Sequence, residues 1–210
     1  MKLVVVAGTA TEIGKTFIGA ALAQELRGRG VSVAARKPAQ SFVPGEGPTD
    51  AEVLAAATGE DPHEVCPPHR WLGVPMAPPM AADVLGQPPF TLDELLAEVT
   101  WPDGVDVGLL EGVGGPRSPI ASDGDTVSMA EQVNADLVVL VADAGLGTVN
   151  AVRLSAAAFG ARPVVTVLNR FDDGDDLRRR NRDWLTKEDG LAVVTDVRDL
   201  GDAVWGRMDA

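Results

Sequence analysis

The sequence predicts an α/β fold: a mostly parallel central sheet with helices on both faces. Two observations predict it. Short apolar runs of strand length alternate along the chain with segments of helical period. The runs are apolar throughout and do not alternate with polar residues, as strands covered on both faces require.

Residues 2–7 are apolar and β-branched, stop at Gly8, and read as a buried first strand. A helix is expected from about Lys15 to Arg29, with apolar positions Phe17, Ile18, Ala21, Leu22 and Leu26, ending near Gly28 or Gly30. Residues 31–36 form the second strand, closed by Pro38. Thr49 is placed to N-cap a short helix over 50–58. Residues 61–90 carry Pro67-Pro68, Pro78-Pro79 and Pro88-Pro89 and read mostly as loop, interrupted by a short helix near Met80–Leu85. Thr91 caps a helix over 92–99, with Glu94 at the capping-box position. Further strands are expected at 105–110, 137–142, 163–168 and 192–195, with helices at about 126–133 and 149–159 between them. The acidic-then-basic stretch Asp172–Arg182 reads as a solvated loop leading into a helix. No second-domain boundary and no internal repeat is visible, so a single domain over 1–210 is expected.

Composition narrows the partners. Across 210 residues, 31 acidic side chains against 18 basic ones give a net charge of −13. That balance counts against a nucleic-acid partner, though small anions respond to local fields and remain open. No apolar run is long enough to span a bilayer, so no membrane partner is expected. The lone Cys66 permits no internal disulfide and fits a reducing cytoplasm. His63, Cys66 and His69 share one proline-rich loop with no fourth ligand nearby, and read as loop residues ahead of a metal cluster. Trp71, Trp101, Trp184 and Trp205 are scattered and need only packing roles. Lysine occurs only at positions 2, 15, 37 and 187, the other basic residues being arginine. Lys15 and Lys37 fall where strands end.

The strongest motif is Gly8-Thr9-Ala10-Thr11-Glu12-Ile13-Gly14-Lys15-Thr16, between a buried strand and an amphipathic helix. In that context backbone N–H groups and the helix N-terminus cradle phosphate, Lys15 reaches the β- and γ-phosphates, and the Thr16 hydroxyl ligates Mg²⁺. Five residues separate the two glycines where the usual motif has four. A second acidic signal, Glu111, ends an apolar run and precedes Gly112-Val113-Gly114-Gly115, the setting of a carboxylate facing a metal. Asp50 on its own reads as a helix-start acid.

These residues resemble the dethiobiotin synthetase family. The family pattern Gly-Thr-x-Thr-Glu-x-Gly-Lys-Thr, extra residue included, matches at every fixed position of Gly8–Thr16. The likeness continues at Lys37-Pro38 with Ser41, at Glu111-Gly112-x-Gly114-Gly115, at Gly145-Leu146-Gly147 with Asn150, and at Asn169, covering about residues 2–170. The chain departs from the pattern at Phe42, at Met80 and in the segment after Asn169, where a proline-bearing stretch is replaced by Arg170-Phe171-Asp172-Asp173.

The resemblance implies a P-loop NTPase three-layer fold and a cytoplasmic homodimer. It implies an ATP- and Mg²⁺-dependent ligase that carboxylates 7,8-diaminopelargonate with CO₂ and closes a cyclic urea, by way of a carbamate and a carbamic–phosphoric anhydride. It implies catalytic roles for Lys15, Lys37 and Thr11, and metal roles for Thr16, Asp50 and Glu111. Glu12, Ile13, Gly14, Lys15, Thr16, Phe17 and Asn169 fall at nucleotide-binding positions. Lys37, Ser41, Gly145, Leu146 and Asn150 fall at substrate-binding positions. Ser41 also reads as an ordinary loop hydroxyl, Asn169 as a turn cap, and Asn150 as part of a helix start. Two other classes share such a loop. Cobyrinic acid diamide synthases carry a glutaminase domain for which 210 residues leave no room. Partition and positioning ATPases carry a further lysine early in the loop, where this chain has Gly8-Thr9-Ala10-Thr11.

Overall fold

A computed structural model describes residues 1–206. Its main sheet has six strands, all parallel: β1 (Lys2–Gly8), β2 (Val33–Arg36), β5 (Val107–Glu111), β6 (Leu137–Asp143), β7 (Val164–Asn169) and β8 (Val193–Val194). Their spatial order is β2-β5-β1-β6-β7-β8. Two short strands, β3 (Gln40–Ser41) and β4 (Trp71–Leu72), make a separate parallel pair.

The apolar run of β1 explains its central place. Successive side chains leave a strand on opposite faces, so Val4 and Val6 enter one core while Val5 and Ala7 enter the other. The first core is closed by α1 (Lys15–Gly28), α2 (Asp50–Thr58), α3 (Pro62–Val65) and α9 (Val197–Trp205), through Leu22, Leu26, Leu54, Val65 and Leu200. The second is closed by α4 (Pro78–Val84), α5 (Leu92–Ala97), α6 (Thr126–Gln132) and α7 (Thr148–Ala158), through Ala81, Leu95, Met129 and Val152. Helix α8 (Asp176–Asp183) buries no residue and runs into a π-turn over Trp184–Glu188, which seats Leu185 in the second core. The result is the three-layer α/β arrangement expected. No helix among the described residues is long and apolar enough to cross a membrane.

The N-cap at Thr49 and the capping box at Thr91–Glu94 form as the sequence indicates, and boxes also form at Thr49–Glu52, Asp61–Glu64 and Asp125–Ser128. Elsewhere the structure differs. Residues 62–72, read as loop, hold α3, a 3₁₀ turn Pro68–Arg70 and β4. Helix α4 starts at Pro78, not Met80, because proline suits the first helical turn, where no N–H partner is needed. Helix α9 is an element beyond those expected; Asp196 caps it, and Leu200, Gly201 and Val204 form its buried stripe. Phe17, expected on the apolar face of α1, is 65% exposed, since Ile18, Leu22 and Leu26 occupy the inward side. Trp71 and Trp101 pack, the latter under the Arg36 guanidinium. Trp184 and Trp205 are only about half covered, at 51% and 40% exposed. In the proline-rich loop, His63 lies against Trp71, His69 Nε2 is 3.1 Å from Glu98, and burial pushes the Cys66 thiol up to about 12.

Candidate active site

All six main strands are parallel, so their carboxyl ends form one edge, and the loops leaving β1, β2 and β5 meet there. Arg36 of β2 is in register with Leu110 of β5, which brings the following residues, Lys37 and Glu111, level with each other. Helix α2 begins at Asp50 and helix α1 at Lys15, so both helix starts contribute side chains.

Lys37 Nζ lies 2.6 Å from Glu111 Oε1, 2.8 Å from Asp50 Oδ2 and 3.0 Å from the Gly112 carbonyl. Three acceptors thus meet the three ammonium protons. Burial works against that charge, but Asp50 and Glu111 outweigh it and hold the Lys37 pKa above the ordinary lysine value. Lys37 in turn holds the Asp50 carboxyl below the usual carboxylate range.

Thr16 Oγ1 is 2.8 Å from Asp50 Oδ1 and 2.8 Å from Glu111 Oε1. One hydroxyl proton can serve only one of these oxygens. The second Glu111 oxygen, Oε2, is buried and has no hydrogen-bond partner among the described residues. Three hard oxygen donors, one of them unpaired, match what Mg²⁺ takes from a protein when phosphate oxygens complete its shell. Among the described residues no three His, Cys, Asp or Glu side chains converge on a metal by themselves.

Lys15 is buried and donates to the Ala10 carbonyl at 3.2 Å. Burial, with the nearby Lys37 charge, lowers its pKa to about 8. Gly14, just before it, has φ 90° and caps α1 in the left-handed region; a Cβ there would fall 2.2 Å from Asn169 Nδ2. Only glycine meets both conditions without displacing a neighbour.

One cavity of about 570 Å³ collects most of the residues singled out in the sequence. Thr11, Glu12, Gly14, Lys15, Thr16, Lys37, Ser41 and Asp50 all line it. Pro75, Met76, Ala77 and Pro78 with Val113, Gly114 and Ser118 make the remaining wall. That Pro75–Pro78 wall was not read from the sequence, where the segment showed only as proline-rich loop. Glu111 sits beneath, reaching the site through Thr16 and Lys37.

The other sequence-derived residues lie outside this cavity. Ile13 packs into the first core, and Phe17 projects outward. Asn169, at the tip of β7, donates from Nδ2 to the Ile13 carbonyl at 2.8 Å and accepts from the Arg170 N–H. Gly145, Leu146 and Asn150 lie around the start of α7, with Leu146 91% exposed. Asn181 of α8 fastens that turn by donating to the Ala144 and Gly145 carbonyls.

Comparison with known proteins bears on this geometry. A family model described as an AAA domain matches residues 2–205. An ATP-dependent dethiobiotin synthetase from Haloferax mediterranei is 36% identical over 195 residues, covering 90% of this chain and 81% of that one. One from Rhodococcus jostii is 37% identical, covering 94% and 86%, and one from Aquifex aeolicus is 34% identical, covering 87% and 82%. Among solved structures, a plasmid partition protein from Borrelia burgdorferi aligns at a TM-score of 0.52 with 10% identity, over 99% of this chain and 96% of that one. Chloroplast FtsY from Physcomitrella patens aligns at 0.54 with 16% identity, over 100% of this chain and 65% of that one. At those identities the structural likeness concerns the fold alone, that of P-loop NTPases. The sequence relationships reach further: this chain belongs to the ATP-dependent dethiobiotin synthetase family.

Proposed function

We propose that this chain is an ATP-dependent cyclo-ligase that carboxylates 7,8-diaminopelargonate with CO₂ and closes it to dethiobiotin. One observation carries the reading: Lys15 and Lys37 line the same cavity, above a Thr16–Asp50–Glu111 oxygen cluster. A carbamate and a triphosphate are both anionic, and compact ammonium groups in a low-dielectric cleft offset their repulsion as they approach.

The reaction balances in three steps. One substrate amine adds to CO₂, forming a C–N bond and losing a proton, to give a carbamate. A carbamate oxygen attacks the γ-phosphorus of ATP; the bond from that phosphorus to the bridging oxygen breaks and ADP leaves. The second amine then attacks the carbonyl carbon of the mixed anhydride. Phosphate departs, the amine loses a proton, and the cyclic urea is formed.

The chain's own residues serve these steps by position and charge. Lys15 faces the phosphates from the start of α1, and Thr11 borders the reacting groups. Lys37 and Ser41 border the carbamate. Turning Lys37 toward the carbamate requires loosening its contacts with Glu111 and Asp50. Thr16, Asp50 and Glu111 are the residues that would hold Mg²⁺, which when bound supplies positive charge at the phosphate oxygens. Glu12, Ile13, Gly14, Phe17 and Asn169 frame the nucleotide. In a homodimer, Gly145, Leu146 and Asn150 would meet the substrate carboxylate from the second copy, near the N-terminal end of α7. The reading takes residues 1–210 as one domain acting in the cytoplasm on small molecules.

The test is phosphate release with Mg-ATP, bicarbonate and 7,8-diaminopelargonate, with the product identified by mass. Release that depends on the diamine, together with a cyclic urea, supports the reading. Absence of both rejects it.

A further inference from the structure

Two non-glycine residues beside the phosphate loop occupy the left-handed region, Glu12 at φ 58° and Arg170 at φ 57°. Side chains disfavour that conformation, and it persists where surroundings enforce it. The two are joined: Arg170 Nη2 donates to the Glu12 carbonyl at 2.9 Å. Next to this contact, Asn169 Nδ2 donates to the Ile13 carbonyl at 2.8 Å. Two successive loop carbonyls are therefore drawn outward to the tip of β7.

In a trans peptide the C=O and N–H point in opposite directions, and the described residues contain no cis bond. The N–H groups of Ile13 and Gly14 are thus turned away from β7. Neither finds an acceptor among the described residues. Consecutive unpaired N–H groups on one side of a turn form an anion-binding concavity. Arg170 is itself held, its Nη1 donating to Asp143 Oδ2 at 2.9 Å, while Asp143 Oδ1 accepts from the Gly145 N–H at 2.8 Å.

We propose that Arg170 is a positioning residue of the phosphate loop: by drawing the Glu12 carbonyl toward β7, it aims the adjoining N–H at phosphate oxygens. This rests on reading Gly8–Thr16 as a nucleotide-phosphate site. The Arg170 side chain is 56% exposed, and exposed ion pairs contribute little to stability. A merely structural Arg170 would therefore be nearly silent, whereas a positioning one acts on anion affinity. The planar guanidinium bridges two acceptors at once, a geometry an ammonium does not reproduce.

The experiment compares the full chain with R170A and R170K, titrating each with ATP and with pyrophosphate, which has no base or ribose. Backbone amide spectra and thermal melts are recorded alongside. R170A should weaken both ligands alike by about tenfold, the size of one hydrogen bond to a charged group. Its melting temperature should stay close to that of the wild type. The Ile13 and Gly14 amide signals should shift less on adding pyrophosphate, and R170K should recover only part of the loss. Unchanged pyrophosphate binding in R170A overturns the inference, as does a loss confined to ATP, which would place Arg170 on the base or ribose. Full recovery by R170K overturns it in favour of charge alone. A wild-type protein that binds neither ligand overturns the phosphate-site reading and this inference together, whereas each preceding outcome leaves that reading standing.

Discussion

Lys37 Nζ and Glu111 Oε1 lie 2.6 Å apart with side chains only 2% and 1% exposed. The register of β2 on β5 sets the two opposite each other. A pair this buried is held by mutual need: each charge is costly alone, and removal of one strands the other. Lys37→Met should therefore destabilise the protein by about 3–5 kcal/mol, the cost of an uncompensated buried charge. Adding Glu111→Gln should return much of that loss. Denaturant unfolding of the two single variants and the double variant measures the coupling. Strictly additive losses would mean the contact is not energetically shared.

Lys15 presents the opposite case. It is buried with a single carbonyl acceptor, and its pKa is lowered to about 8 from 10.5. The folded state then binds fewer protons than the unfolded one between those values. The destabilisation is full below pH 8 and fades as pH rises toward 10.5. At 1.36 kcal/mol per unit the penalty is about 3 kcal/mol at neutral pH. Lys15→Met should thus raise the melting temperature by several degrees at pH 7 while abolishing turnover. The gain should shrink steadily on going to pH 10. A variant that melts lower than wild type at pH 7 contradicts this account.

The fold was legible because its strands are continuous apolar runs, and the phosphate loop because its glycines and Lys15 stand between a strand and a helix. Lys15 and Asp50 begin α1 and α2, Thr16 lies next to the start of α1, Lys37 directly follows β2 and Ser41 ends β3, so a correct topology brings these element ends together. What stayed hidden depends on contacts between distant segments. Arg170 follows a strand like Lys37, but its Asp143 and Glu12 partners come from other elements. Phe17 has the spacing of a core residue, and only the packing of α1 shows that Ile18 takes the inward place. Helix α9, by contrast, was open to view in the sequence: Asp196 caps it, and Val197, Leu200, Gly201 and Val204 follow a helical i, i+3, i+4, i+7 spacing, the last three buried.

Gly112 supplies the third acceptor for Lys37, and a Cβ on it would fall 2.3 Å from Thr126 Oγ1 and 2.6 Å from Thr126 Cγ2. Both Thr126 atoms are on a buried side chain whose hydroxyl has no partner among the described residues. Gly112→Ala should cost about 1–3 kcal/mol through overpacking. Thr126→Ala removes the atoms in the way and forfeits no hydrogen bond, so the double variant should regain most of the loss. Thermal melts of the set decide it: an unrecovered double variant would place the strain elsewhere.

The same Lys15 shift sets a pH signature for nucleotide affinity. Free Lys15 titrates at about 8. A bound triphosphate favours the ammonium and raises that value, so binding takes up a proton wherever the free lysine is neutral. Below pH 8 the lysine is already charged, and affinity should be flat. Above it, affinity should fall as pH rises, until the bound-state pKa is reached. Calorimetric titration of ATP in two buffers of different ionisation heat should show little proton uptake at pH 6.5 and about half a proton or more near pH 8.5. In Lys15→Met the pH-dependent part should vanish along with most of the affinity. Uptake that is unchanged in that variant would assign the proton to another group.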